Sequence, residues 1–322
     1  MLSKSAQSLG AEWHGRLRLP VIVAPMFLLS GPEIVVAAAK AGVVGAFPTL
    51  NARTVSDLER WLKNITENIA ALKVTGTAYN GAWAANVIAH SSNRRLEQDL
   101  ELICEYKPPI VITALGSPGA VVERVHAYGG SVIADVNSAV FARKAADAGV
   151  DGLLLVASGA GGHTGQLSPF AFVEIVRTFW DGLLVLAGSI SSGRAIRAAL
   201  ALGADMVSIG TRFIATPESM AHPEYKRMVI DASFEDILCT DAFTGAMANM
   251  LRPSIVRSGL DPDDLTPADR VDVTDDPHAD NRAWRDIWSA GHGVGLIRRE
   301  QSVADIVEEL AQEFAAEPYA RR

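Results

Sequence analysis

Cysteine is scarce: Cys104 and Cys239 are the only two in 322 residues. That excludes a dense disulfide framework and any Cys-x-x-Cys metal or redox motif, and a reducing cytoplasm is the expected home. Long apolar runs are missing too. None reaches the ~18 residues that a membrane helix needs, and the opening MLSKSAQSLGAEWHGRLRLP lacks the apolar stretch of a secretory signal, so no membrane is expected. Basic stripes are absent: 29 Lys and Arg are scattered among 37 Asp and Glu, for a net charge of −8. Nothing there offers counterion release to nucleic acid, which is not an expected partner. The histidines have no His-x-x-x-His spacing, so no metal is expected. Ser168 and Cys239 sit in neither a Gly-x-Ser-x-Gly elbow nor a Cys/His arrangement, which argues against a hydrolase. With 49% apolar and 20% charged residues, the chain lies far from the signature of disorder.

What is present is a rhythm. Short apolar runs open at Val21, Val43, Trp83, Ile110, Ser131, Gly152, Leu183 and Asp205, with segments of helical period between them. Runs apolar on both faces suit parallel strands covered by helices. Eight such units predict a closed (β/α)8 TIM barrel, with an open doubly wound sheet as the alternative. After Phe213 the rhythm breaks. Residues 216–290, rich in Pro, Asp, Met and Arg, read as a helical lid or subdomain without strands, inserted after the eighth strand. The barrel is then 1–215 plus 291–322, closing with an amphipathic helix from Ser302 to Ala316. Oligomeric state leaves no mark in this pattern.

Barrel active sites form at the C-terminal ends of the strands. There the chain places SGAGGHTGQ after the sixth run, AGSISSG after the seventh and IGTRF after the eighth. The first is not a dinucleotide fingerprint, because Thr164 stands where a third glycine is needed. The second is not a P-loop, because Arg194 stands where lysine is needed. What remains is the barrel's own phosphate site, in which bare backbone N–H groups approach the anion: Gly188, Ser189, Gly210 and Thr211. The bland alternative is that these glycines only turn the chain. Arg212 could neutralise a phosphate or pair with a carboxylate at the rim. His163, inside the first loop, carries an imidazole whose ordinary pKa of ~6.5 suits proton transfer or substrate binding; otherwise it ties the loop to a carbonyl. Trp284 and Trp288, at i, i+4, could line a lid or simply pack a helix.

Together, Ala24-Pro25-Met26, Asn86, GAGGHTG, AGSISSG, ALGADMVSIGTRF and WSAGHGVGLI resemble the nitronate monooxygenase (2-nitropropane dioxygenase) family. Its relatives, the FMN-dependent enoyl-acyl-carrier-protein reductases and some NADH:quinone reductases, share several of these signatures. The resemblance implies FMN bound non-covalently at the barrel mouth. Ala24, Pro25 and Met26 then lie beside the isoalloxazine ring and Asn86 reaches its polar edge. Gly188, Ser189, Gly210 and Thr211 hold the phosphate, Gly161 and Gly162 pass close by, and Ser289, Ala290 and Gly291 return from the C-terminal segment. His163 faces the substrate as the catalytic residue. The implied reaction is oxidation of a small alkyl nitronate or nitroalkane by O2 to a carbonyl compound and nitrite; the alternative is NAD(P)H-dependent reduction of a quinone or enoyl thioester. A flavin-storage protein is the rival from outside catalysis. Two positions depart from the family pattern: Asp135, where some relatives carry lysine, and His292, where many carry glutamine.

Overall fold

A strand covered on both faces needs apolar side chains pointing both ways, and the short runs supply them. In the computed structural model, which describes residues 16–74, 82–268 and 284–316, the chain-ordered strands are β1 (Val21–Val23), β2 (Val44–Pro48), β3 (Trp83–Ile88), β4 (Ile110–Ala114), β5 (Ser131–Val136), β6 (Gly152–Val156), the two-residue β7 (Gly162–His163), β8 (Leu183–Ala187) and β9 (Met206–Ile209). All but β7 pair in parallel and close into a barrel in the order β1-β2-β3-β4-β5-β6-β8-β9. Alternation along each strand sorts the two faces. Ile22, Val44, Ala84, Ile112, Ile133, Leu154, Val185 and Met206 fill the barrel interior. Their neighbours, among them Val21, Ala85, Val111, Leu153 and Leu184, pack outward against the helices.

Those helices are α1 (Pro32–Ala41), α2 (Val55–Val74), α3 (Leu96–Tyr106), α4 (Gly119–Ala127), α5 (Ala139–Asp147), α6 (Pro169–Arg177) and α7 (Gly193–Leu202), followed by α8 (Pro223–Asp231), α9 (Arg252–Arg257) and α10 (Val303–Ala315). Serine hydroxyls cap four of them: Ser138, Ser168, Ser192 and Ser302 each accept from a backbone N–H three residues on. Two helices end in left-handed glycine caps, at Gly42 and Gly203, with φ of 89° and 117°. α10 packs against α7 and α1, filling the outer position that the segment after β9 leaves open. No helix among the described residues is long and apolar enough to cross a membrane.

The expectation of a strandless lid needs correction. Besides α8 and α9, the segment after β9 contributes β10 (Ile237–Thr240) and β11 (Ala248–Leu251). With β7 they form an antiparallel sheet in the order β10-β11-β7. Ala248 pairs with His163 and Asn249 with Gly162. This sheet escapes a sequence reading because one of its strands is two residues of the glycine loop and the other two lie far along the chain. Part of the segment, residues 269–283, falls outside the described residues.

Candidate active site

At the C-terminal end of the barrel lies a cavity of about 1750 Å³, lined by His163 and by the thirteen residues that the family resemblance assigns to the cofactor; Arg212, Trp288 and His292 stand outside it. Ala24, Pro25 and Met26 follow β1 and Asn86 comes from within β3. Gly188 and Ser189 follow β8, Gly210 and Thr211 follow β9, Gly161 to His163 come from the loop after β6, and Ser289 to Gly291 arrive from the returning segment.

The β6 loop and the returning segment approach with almost no side chain between them. A Cβ on Gly161 would stand 2.7 Å from the Gly291 nitrogen, and one on Gly291 would stand 2.5 Å from the Gly159 oxygen. Hydrogen bonds hold this contact: the His292 N–H donates to the Gly159 carbonyl at 3.0 Å, and the Gly291 N–H donates to Thr211 Oγ1 at 2.9 Å. The β8 loop is held in left-handed backbone, with φ of 110° at Gly188 and 58° at Ser189. A Cβ on Gly188 would lie 3.0 Å from the Ala157 oxygen. At Gly210 it would sit 3.4 Å from Ala24 Cβ and 3.6 Å from Met26 Sδ, on the cavity lining. A cradle so bare, with Ser189 and Thr211 hydroxyls in it, fits a phosphate group.

Arg212 is not part of it. Its buried guanidinium donates to the Leu296 carbonyl at 2.9 Å and to Gln301 Oε1 at 3.2 Å, and pairs with Glu309 at 2.9 Å. Of its two readings, the carboxylate partner holds. Without Arg212, backbone N–H groups and the Ser189 and Thr211 hydroxyls are the polar groups these two loops bring to the cavity.

His163 is half-buried in β7, and burial pushes its imidazole below the ordinary value of 6.5. Its Nε2 lies 2.9 Å from Thr244 Oγ1, and Trp284 meets the ring edge-on with centroids 5.1 Å apart. Thr244, buried and 81 residues away, gave no sequence signal. Trp284 and Trp288 do not share a helix. Residues 284–286 turn, with Trp284 at φ 69°, so Trp284 lines the cavity while Trp288 stacks on Tyr225 at 4.8 Å beneath the Arg257 guanidinium. Two further residues, invisible as site elements in the sequence, brace the walls: Asn249 Nδ2 donates to the Ala160 carbonyl at 2.6 Å, and the Ser289 N–H donates to the Tyr225 hydroxyl at 3.2 Å. His292 is an exposed rim residue.

Asn86 and Asp135 put polar groups at the top of the aliphatic barrel interior. Asn86 Nδ2 donates to the Ile112 carbonyl at 3.1 Å, which leaves Oδ1 as a free acceptor among the described residues. Asp135, in register with Leu154, faces the cavity, and burial pushes its carboxyl up to about 7. The sign of the consequence is fixed. The unfolded carboxyl ionises near its ordinary 3.8 and the folded one only near 7, so stability is full below about 4 and falls as pH rises through that window. Asp135→Asn removes the penalty. In melting-temperature scans the variant's advantage over the parent should be small at pH 4 and grow to a plateau above pH 7; a difference independent of pH would contradict the assignment.

A closed parallel barrel with bare glycine loops and one half-buried imidazole at the same cavity is a frame found among cofactor-binding barrel enzymes, and the family comparison makes it that of an oxidoreductase. The nitronate monooxygenase family profile matches residues 14–313, and the chain belongs to that family, whose members are in general flavin enzymes. A nitronate monooxygenase of Paraburkholderia phytofirmans is 26% identical over 336 residues, covering 92% of each chain. A hydroxy-methyl-oxo-octahydroindene-carboxyl-CoA dehydrogenase of Rhodococcus jostii is 27% identical over 74% of this chain. The chain spans 64% of the length of that dehydrogenase and of a Mycobacterium tuberculosis relative that is 32% identical to it. Among solved structures, FabK from Thermotoga maritima superposes with a TM-score of 0.75 at 25% identity, covering 97% of this chain and 96% of the other.

Proposed function

We propose that the protein is an FMN-dependent nitronate monooxygenase that oxidises small alkyl nitronates with O2 to a carbonyl compound and nitrite. The observation that carries this reading is the meeting of the Gly188/Gly210 cradle and the neutral His163 in one cavity. Backbone N–H groups of Gly188, Ser189, Gly210 and Thr211 would hold the FMN phosphate. Ala24, Pro25 and Met26 would lie beside the ring with Asn86 at its polar edge. Gly161, Gly162 and Ser289 to Gly291 would close over it, with no room for a Cβ at Gly161 or Gly291. FMN, when bound, supplies the electron transfer between nitronate and O2. The chain's own share is to orient the nitro group, to take the α-proton of a nitroalkane on His163, and to keep water away with Trp284. Residues 216–290 act as the lid subdomain on the 1–215 plus 291–322 barrel. Two free cysteines fit a reducing cytoplasm.

A second reading, an NAD(P)H-dependent flavin reductase, draws on the likeness to FabK. Purified protein reconstituted with FMN and kept under argon separates the two. Bleaching of the flavin absorbance by ethylnitronate but not by NADH or NADPH is the expected result; rapid bleaching by NADPH would replace the monooxygenase reading with the reductase.

A further inference from the structure

The eight barrel strands carry one titratable side chain, Asp135; every other residue on them is apolar or a neutral polar group. Its height in the barrel decides what it meets. Followed from strand to strand, the pairing register slips by about one residue per strand, the shear of this barrel class, so side chains at one height come from alternate strands. Level with Asp135 on β5 are Asn86 on β3, Ala187 on β8 and Ala24 just past β1. All four line the cavity and make its floor. Ile112 and Leu154 fill the interior beneath, so the open side of Asp135 is the cavity.

The floor has two unlike halves. Ala187 and Ala24 are neighbours round the ring, and they belong to the glycine side: Gly188 follows Ala187, and a Cβ on Gly210 would lie 3.4 Å from Ala24 Cβ. Asn86 and Asp135 make the opposite, polar half. Asn86 spends Nδ2 on the Ile112 carbonyl and offers Oδ1 as an acceptor. Asp135 makes no hydrogen bond or ion pair among the described residues, and burial keeps its carboxyl protonated up to about 7, so it offers a donor beside that acceptor. The other titratable groups on the cavity lining are Arg53, Arg94 and Arg95 after β2 and β3, Lys144 on α5, His163 on β7 and Tyr225 on α8. None bonds to Asp135, and burial alone raises its pKa, so none stands close enough to hold it ionised. An acceptor next to a donor matches a ring edge on which an N–H adjoins a carbonyl. The flavin ring ends in such an edge, an imide N–H flanked by two carbonyls.

We propose that Asp135, as a neutral acid, donates a hydrogen bond to a carbonyl oxygen of that edge while Asn86 accepts from the imide N–H, and that ionisation of Asp135 loosens FMN and opposes its reduction. The inference rests on the proposed flavin site. Once ionised, the carboxylate has no proton to donate and sets a negative charge against the carbonyl lone pairs. Reduction adds electron density to the same edge, so the reduced cofactor is disfavoured more than the oxidised one. The sign follows: FMN takes the protonated form of the site, so affinity is full below about 7 and declines as pH rises above it.

The test is titration of the flavin-free protein with FMN, followed by fluorescence quenching at pH 6 and pH 8.5, together with the midpoint potential of the reconstituted protein. Asp135→Asn keeps a donor and cannot ionise; Asp135→Ala keeps neither property. At pH 6 the parent and Asp135→Asn should bind FMN about equally, and Asp135→Ala several-fold more weakly. At pH 8.5 Asp135→Asn should bind at least tenfold more tightly than the parent, and any pH effect from the FMN phosphate itself cancels in that ratio. The parent's midpoint at pH 8.5 should lie at least ~30 mV below that of Asp135→Asn, the equivalent of a tenfold bias against the reduced form. Circular dichroism at both pH values checks that all three proteins are folded. A parent-to-Asn affinity ratio that does not change with pH, equal binding by the Asn and Ala variants at pH 6, or equal midpoints would each overturn the proposal. Yellow proteins with a constant ratio would remove Asp135 and leave the flavin site standing. Failure of all three to take up FMN at either pH would remove the flavin site and this inference with it.

Discussion

Gly210→Val should give a folded protein that no longer turns yellow with FMN. Gly210 has φ −104°, which an L residue adopts without strain, and its Cβ would meet Ala24 Cβ and Met26 at ordinary van der Waals distances. The branches beyond that Cβ would occupy the space where the phosphate and its backbone donors must meet. Affinity for FMN should fall at least ~100-fold, about 2.7 kcal/mol, while the melting temperature of the flavin-free protein moves by only a few degrees. Gly188→Val is the instructive contrast. At φ 110°, with a carbonyl oxygen 3.0 Å from the new Cβ, it forces a left-handed conformation costing about 1–2 kcal/mol, so stability and FMN binding should fall together. Equilibrium dialysis against FMN and thermal melts of both variants separate a filled cradle from a broken loop. A Gly210→Val protein that remains fully yellow would end the cradle assignment.

The barrel was readable because its strands are covered on both faces, so each is a nearly continuous apolar run. The glycines after the last two strands were readable for a related reason: a backbone held close to its neighbours admits no side chain, and the structure brings Gly188 and Gly210 to one cavity. The remainder depends on contacts between distant parts of the chain. Thr244 is one of many threonines until β11 pairs with β7 and carries it to His163. Arg212, beside the cradle in sequence, turns outward because Glu309 and the Leu296 carbonyl wait on the segment leading into α10 and on that helix itself. Trp284 and Trp288 show how spacing misleads when the chain between them turns rather than winds. Asp135 was visible as an oddity in a strand, but its raised pKa follows from the barrel's alternation, which points it into an aliphatic interior.

Exchanging His163 for asparagine should hurt neutral and anionic substrates unequally. A nitroalkane must lose its α-proton before oxidation, and a positioned base contributes about 10²–10⁴-fold to such a step; a preformed nitronate has already lost it. The loss in kcat/KM should therefore be about 10²–10⁴ with nitroethane and roughly tenfold or less with ethylnitronate, where only a hydrogen bond to the nitro oxygens is missing. Thr244 refines this. Its Oγ1 lies 2.9 Å from His163 Nε2 and can donate to the Ala246 carbonyl at 3.2 Å. When the hydroxyl proton goes to that carbonyl, the oxygen accepts from Nε2–H, and Nδ1, unpartnered among the described residues, keeps its lone pair as the base. Thr244→Val removes the acceptor that steadies the protonated ring, so the nitroethane reaction should slow about tenfold with the nitronate reaction almost unchanged. Burial already lowers the His163 pKa from its ordinary 6.5. The nitroethane rate should thus stay level from pH 8 down past 6.5 and decline only below it, with the decline displaced further down in Thr244→Val. The stability linked to the neutral ring follows the same sign: intact above 6.5, and lost as pH falls through the lowered folded value. Equal losses on both substrates would make His163 an anion-positioning group rather than a base, and an unaltered nitroethane rate in His163→Asn would remove it from the chemistry altogether.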